Sequence, residues 1–275
     1  MSALYVFHRC TLAAVLCFFC ASGCSKKAPD AAAQTPQTVA ALPAGQSATS
    51  GPSLTHGPDS HPAASSPAPI NCPLRKAGVD PQHLKPFADV EKYVAFLERA
   101  DRASWQKPDE IVRALHLTGD EVIADVGAGS GYFTFRFAAA LPRGRVVAID
   151  IEPEMIRHIH HKAMTEGIAN VEPVLASGDD PQVPAAADIV FICDVLHHVS
   201  DRRAWLAHLH DEMKADGRLI LVEFKEGDLP EGPPAAAKIT RNELLTLMQD
   251  AGLVLSGEEK DLLPYQVFLV FRKQA

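Results

Sequence analysis

Large side chains are scarce between residues 25 and 70 of this 275-residue chain, and that scarcity divides it. The stretch 25–70 is built almost wholly from Ala, Pro, Ser, Thr, Gln and Gly, with Val39, Leu42 and Leu54 among its few large apolar residues. Such a segment cannot bury enough surface to offset the entropy of ordering it, so it is expected to be a disordered tether. About 200 residues remain from Asn71 onward, enough for one well-buried core. Lys and Arg clusters are also missing. Of the net charge of −8, the leading 70 residues carry three positive and two negative groups, which leaves −9 on the remainder. That balance argues against nucleic acid as the main partner, since neutralising phosphates needs clustered cations. The cysteines lack a pairing pattern. Cys10, Cys17, Cys20 and Cys24 crowd the N-terminus, leaving Cys72 and Cys193 with no CxxC pair and no His at ligand spacing. No metal site is expected. Cys193 ends an apolar run and reads as a buried free thiol, with a bridge to Cys72 left open.

The apolar run 11–20 is short for a bilayer span, which takes about 20 residues. With Arg9 and His8 before it, it reads as a targeting signal. It closes on Ala21-Ser22-Gly23-Cys24, followed by Ser25-Lys26-Lys27. This resembles a bacterial lipobox, although Ala21 stands where Leu is commoner. The resemblance implies a signal peptide over 1–23, lipidation of Cys24, a tether over 24–70 and a membrane-anchored protein facing the periplasm. The alternatives are an uncleaved anchor, or a cytoplasmic protein with a misassigned start.

From residue 103 onward, strand and helix signals alternate. Short apolar runs at 121–126, 145–149, 171–175, 188–193 and 218–224 read as strands buried on both faces. Helical spacing covers 132–141, 153–166, 201–213 and 240–251. Pro153 stands near the start of the second of these, and Gly167 lies just past its end. Two further strands, 254–257 and 266–271, follow without a helix between them. The pattern predicts an α/β, doubly wound, mostly parallel seven-stranded sheet with one antiparallel edge strand.

Asp125-Val126-Gly127-Ala128-Gly129-Ser130-Gly131 lies between the first strand and the first helix. Glycines there let the backbone turn sharply and approach a ligand closely. The spacing is GxGxG; in the dinucleotide pattern GxGxxG the third Gly would stand at Tyr132. A pyrophosphate seeks helix-terminal amides, and Asp125 beside it would be unfavourable. Beside an ammonium or a sulfonium, the same carboxylate is favourable.

These residues resemble the class I S-adenosylmethionine-dependent methyltransferases, across roughly 103–272. Asp125, Gly127, Gly129 and Gly131 match the family's first motif. Val147-Ala148-Ile149-Asp150 matches its second strand, and the resemblance implies that Asp150 holds the two ribose hydroxyls of S-adenosyl-L-methionine. Asp179 and Asp180 fall where the family contacts adenine, with Ser177 and Gly178 as neighbouring alternatives. Asp194, at the head of Asp194-Val195-Leu196-His197-His198-Val199, falls beside the transferred methyl. His197 and His198 are the candidate catalytic residues. Residues 71–102 are expected to be a helical cover over the domain 103–275, continuing into Arg102–Pro108. The implied activity is methyl transfer to a small-molecule acceptor.

Each assignment has a plainer rival. Asp150 could cap the following helix, Asp179-Asp180 could be a solvated turn, and the two histidines could be structural. Trp105 reads as core or lid packing ahead of substrate recognition, and Glu223 and Lys225 as solvated charges. Two other functions stay open: a non-catalytic ligand-binding or scaffolding lipoprotein that retains the fold, and a nicotinamide-dependent oxidoreductase, which the GxGxG spacing disfavours.

Overall fold

The structure, a computed structural model, describes residues 72–274. Five strands run parallel: β1 (Val122–Val126), β2 (Arg145–Asp150), β3 (Val171–Leu175), β4 (Ile189–Cys193) and β5 (Arg218–Phe224). The hairpin β6 (Leu253–Glu258) and β7 (Gln266–Lys273) completes a seven-stranded sheet in the order β3-β2-β1-β4-β5-β7-β6. The single antiparallel strand is β7, paired with both β5 and β6. It lies one place in from the edge, and β6 closes that edge. Composition explains the order. Phe268, Leu269 and Phe271 of β7 are buried, whereas Val254 and Leu255 of β6 stay 39% and 40% exposed, so the more apolar strand takes the interior slot.

Alternation along the strands feeds two cores. Val190 and Ile192 join Leu219 and Leu221 beneath α7 (Arg202–Glu212) and α8 (Arg241–Asp250), whose Leu206, Leu209, Leu244 and Met248 cover that face. Ile189 and Phe191 join Ile123, Val146 and Val222 on the other face. Ile111 and Phe137 cover it, from α4 (Pro108–Ala114) and α5 (Thr134–Ala140). The helix α6 (Pro153–Glu166) starts on Pro153 and ends at Gly167, whose φ of +68° suits a left-handed cap.

The chain builds outward from β1 to β3, then crosses back to lay β4 on the other side of β1. This reversal opens a crevice beyond the carboxyl ends of β1 and β4, the place where such sheets bind ligands. The N-terminal segment supplies α1 (Pro73–Lys76), α2 (Phe87–Leu97) and α3 (Arg102–Gln106). Val90 and Val94 of α2 pack on Met155 of α6, and the Lys85 N–H donates to buried Glu154. The cover is therefore seated on the helix that follows Asp150.

Candidate active site

The three glycines after β1 all have positive φ, +74°, +55° and +82° for Gly127, Gly129 and Gly131, but they serve different ends. A Cβ on Gly127 would fall 2.2 Å from Val195 Cγ2, and one on Gly131 would fall 2.6 Å from the Phe135 ring. Those two positions are glycine because other side chains press on them. A Cβ on Gly129 would meet only Leu97 of α2, at 3.7 Å, so Gly129 lies open beneath the cover.

The turn is tied to the next strand. The Gly127 and Ala128 N–H groups donate to the Ile149 carbonyl, and the Gly129 N–H donates to Asp150 Oδ2 at 2.7 Å. Asp150 Oδ1 accepts from the Glu152 N–H at 2.9 Å. The N-cap of α6 is Glu152, so Asp150 does not cap that helix. A carboxylate has about four acceptor sites, and these bonds use two of them. Burial raises its pKa, against the pull of the amides it accepts from. Beside it, Ile151 is 56% exposed, an apolar side chain that suits the face of a flat ring.

Asp125 is buried and accepts from Thr134 Oγ1 at 2.5 Å. Burial pushes its pKa up to about 7, the Thr134 hydroxyl and the Arg102 charge pulling the other way and the Asp150 charge reinforcing the rise. Asp194 follows β4 with φ +59°, a left-handed conformation that few non-glycine residues adopt. Two glutamines hold it there. Gln106 Nε2 donates to Oδ2 at 3.0 Å, and Gln266 Nε2 lies 2.7 Å from both oxygens. Burial and the nearby Glu223 charge raise Asp194 to about 7, with Gln266 and Arg102 opposing. A site with two such carboxyls favours a cationic ligand.

The histidines divide. His197 is shielded, its Nδ1 2.9 Å from Glu223 Oε2, while Glu223 Oε1 accepts the Leu196 N–H at 2.7 Å. Burial opposes its charge, yet Glu223 wins and the His197 pKa is raised. His198 is exposed, its ring centroid 4.1 Å from that of His197. Burial and the charge of His197 lower its pKa.

The remaining candidates take varied surroundings. Asp179 is exposed with its carbonyl bonded to His208 of α7, and Asp180 Oδ1 accepts the Gln182 N–H. The loop after β3 is thus bonded to α7 through the Asp179 carbonyl. Glu223 is not a solvated charge, being buried and bonded to His197. Lys225 Nζ is spent on the carbonyls of Leu263 and Pro264. Cys72 and Cys193 are both free thiols. Tyr132, where a dinucleotide fold would have Gly, is buried with its ring centroid 4.0 Å from both the Arg102 and Arg136 guanidiniums. A cleft of about 450 Å³, lined by Ser200, Arg203, Glu243 and Thr246, contains none of the predicted site residues.

Thr134, Gln106 and Gln266 were invisible as site residues. Gln266 left one trace, a polar residue leading an otherwise apolar strand. Nothing in the sequence linked Gln106 to Asp194, 88 residues away.

Residues 124–219 match the methyltransferase-domain family. Over those residues the chain is similar to methyltransferase domains. The cofactor of that family is S-adenosylmethionine. This domain is 33% identical over 147 residues to a tRNA U34 carboxymethyltransferase of Ruthia magnifica, covering 48% of this chain and 45% of that one. It is also 33% identical over 102 residues to a malonyl-[acyl-carrier protein] O-methyltransferase of Hahella chejuensis, covering 36% and 34%. The chain thus spans less than half the length of these relatives. A S-adenosylmethionine-dependent methyltransferase from Aquifex aeolicus shares the fold at a TM-score of 0.61 and 21% identity, over 68% of this chain and 98% of that one.

The geometry of this site fits S-adenosylmethionine. Asp150 retains acceptor sites for two hydroxyls, Gly129 leaves the turn open, and Asp125 and Asp194 suit the cofactor's ammonium and sulfonium charges. Ser130 Oγ, buried in the same turn, has no protein partner.

Proposed function

We propose that this domain transfers the methyl group of S-adenosylmethionine to a small-molecule acceptor. The observation that carries the reading is the bond between Gly129 and Asp150, which fuses the glycine turn and the ribose-binding acid into one unit. The bound cofactor supplies an electrophilic methyl on sulfur, which leaves as a neutral thioether forms. The protein's part is to align the reactants and exclude water. Asp150 would accept the ribose hydroxyls, and Asp125 and Asp194 would face the cationic end of the cofactor. His198, exposed and with its pKa lowered, is the candidate to take a proton from a protonated nucleophile. His197 and Glu223 position it.

The two relatives act on a tRNA and on a carrier-protein ester, so their names do not choose an acceptor for this chain. The charge of −9 from Asn71 onward supports a small molecule over a polyanion. Calorimetric titration of the full chain with S-adenosylmethionine tests the reading. Absence of binding at millimolar concentration would leave the scaffolding alternative in its place.

We also propose that Cys24 carries a lipid that anchors the domain at the periplasmic face of a membrane. The signal peptide, Cys24 and the tether lie outside the described residues, and this reading rests on the lipobox resemblance.

A further inference from the structure

We propose that Trp105, Phe224 and Tyr265 form the acceptor-binding wall, and that the acceptor is a planar aromatic molecule bearing an oxygen or nitrogen that accepts a hydrogen bond from the Trp105 indole N–H. This rests on the methyl-transfer reading and names its substrate class.

The three aromatics come from distant parts of the chain and meet at the carboxyl end of β5. The Trp105 ring centroid lies 5.8 Å from that of Phe224 and 6.2 Å from that of Tyr265. Each is the chain neighbour of a buried polar residue in the cluster around Asp194. Gln106 and Gln266 donate to Asp194, and Glu223 holds His197. The aromatic wall therefore adjoins the groups assigned to the reacting end of the cofactor.

Trp105 carries the second, independent observation. It is only 9% exposed, and its Nε1, a donor with no acceptor capacity, is shielded and has no hydrogen-bond partner in the protein. Buried donors are normally paired, and one that is not has a cost that a ligand's acceptor atom removes. Gln266 Oε1, next to Tyr265, is likewise buried and unpaired. Aromatic faces with one fixed donor select a flat ring and orient it by a single polar atom.

The wall is roofed by two segments. Arg99, between α2 and α3, pairs with Glu231, and its guanidinium lies 5.7 Å from the Trp105 ring centroid. Glu231 belongs to the Pro- and Gly-rich segment after β5, where Gly232 has φ +94° and a Cβ on it would fall 2.5 Å from the Phe224 ring. Entry requires these two segments to part, and the Arg99–Glu231 pair is the contact between them that would open.

The test uses the full chain saturated with S-adenosylhomocysteine and follows the binding of 2-naphthol by ligand-observed NMR and calorimetry. Its saturated, non-planar counterpart decahydro-2-naphthol is the control. We expect 2-naphthol to bind at least tenfold more tightly than the control. Trp105→Phe, which keeps a ring and removes the N–H, should weaken 2-naphthol about tenfold with S-adenosylhomocysteine affinity unchanged. Tyr265→Leu, at a half-buried position, should weaken it similarly while leaving the indole in place. Equal binding of both alcohols, no binding of either to the loaded protein, or undiminished 2-naphthol binding by both variants would overturn the proposal and leave the cofactor site intact. Failure of the wild-type protein to bind S-adenosylhomocysteine would instead remove the methyl-transfer reading, and this proposal with it.

Discussion

Gly129 and Asp150 stand 21 residues apart in sequence and share a 2.7 Å hydrogen bond. The bond gives Asp150 two tasks, since the carboxylate that would receive ribose hydroxyls also fixes the turn beneath them. Asp150→Ala should therefore cost both affinity and stability. One charge-assisted bond contributes roughly 1.5–3 kcal/mol, so losing even one should weaken S-adenosylmethionine binding about 10- to 150-fold. The melting temperature should fall as well, because the Gly129 and Glu152 N–H groups lose their acceptor. Calorimetry and thermal melting on one preparation check both; unchanged affinity in the folded variant would refute the ribose assignment.

The glycines should separate by substitution. Gly127→Ala places a methyl 2.2 Å from Val195 and should destabilise the fold by about 1–3 kcal/mol, the range for overpacking. Gly129→Ala meets no such contact; its left-handed φ costs on the order of 1 kcal/mol, and its main effect should be on cofactor affinity. Chemical denaturation beside cofactor titration distinguishes them. Equal stability loss at both positions would count against the division.

The pH dependence follows from Asp125. Its pKa rises from 3.8 unfolded to about 7 folded, so between those values the folded chain keeps a proton that the unfolded chain has lost. Stability attributable to this group therefore falls as pH rises from about 4 to about 7, then levels. Asp125→Asn should remove that slope, and the difference between wild-type and variant curves isolates it from the histidines. The linked effect has the opposite sign. A cationic ligand prefers the ionised carboxyl, so S-adenosylmethionine affinity should rise between pH 5.5 and 7. Calorimetry in buffers of different ionisation enthalpy should show proton release on binding; no release would refute the assignment of Asp125 to the cation.

Glu223→Gln should lower turnover more than cofactor affinity once an acceptor is known, because Glu223 contacts His197 and the Leu196 N–H and not the glycine turn. The pH–rate profile should shift with it, since the raised His197 pKa depends on that carboxylate. A purely structural role predicts lower stability with an unmoved profile.

The tether and the anchor make a separate pair of expectations. Deleting 26–69 should leave the melting temperature of the domain nearly unchanged, because so little in that stretch can be buried. Cys24→Ser should abolish fatty-acid incorporation and block processing before residue 24. Mature protein that still begins at Met1 in the soluble cytoplasm would exclude the lipoprotein reading.

Much of this domain was legible because its determinants are local. The apolar strand Val122–Val126, the glycines behind it and an acid ending the next strand are short-range patterns, set by backbone sterics and strand periodicity. The same locality gave every strand and the helix-free hairpin at the end. What sequence by itself could not decide is pairing across distance. It could not place β7 inside β6, because that depends on which strand of the hairpin is the more apolar and on the slot left beside β5. It gave Gly127, Gly129 and Gly131 one reason, where Val195 and Phe135 supply two of the three. It could not show that the loop of Asp179 and Asp180 bonds to His208 of α7. Gln106 and Gln266 drew no functional weight and Trp105 was read as packing, since a glutamine or tryptophan acquires a role only from what folding buries beside it. Tertiary structure decided these points because hydrogen-bond partners and burial depend on residues far apart in the chain, and local pattern carries no information about which distant groups will meet.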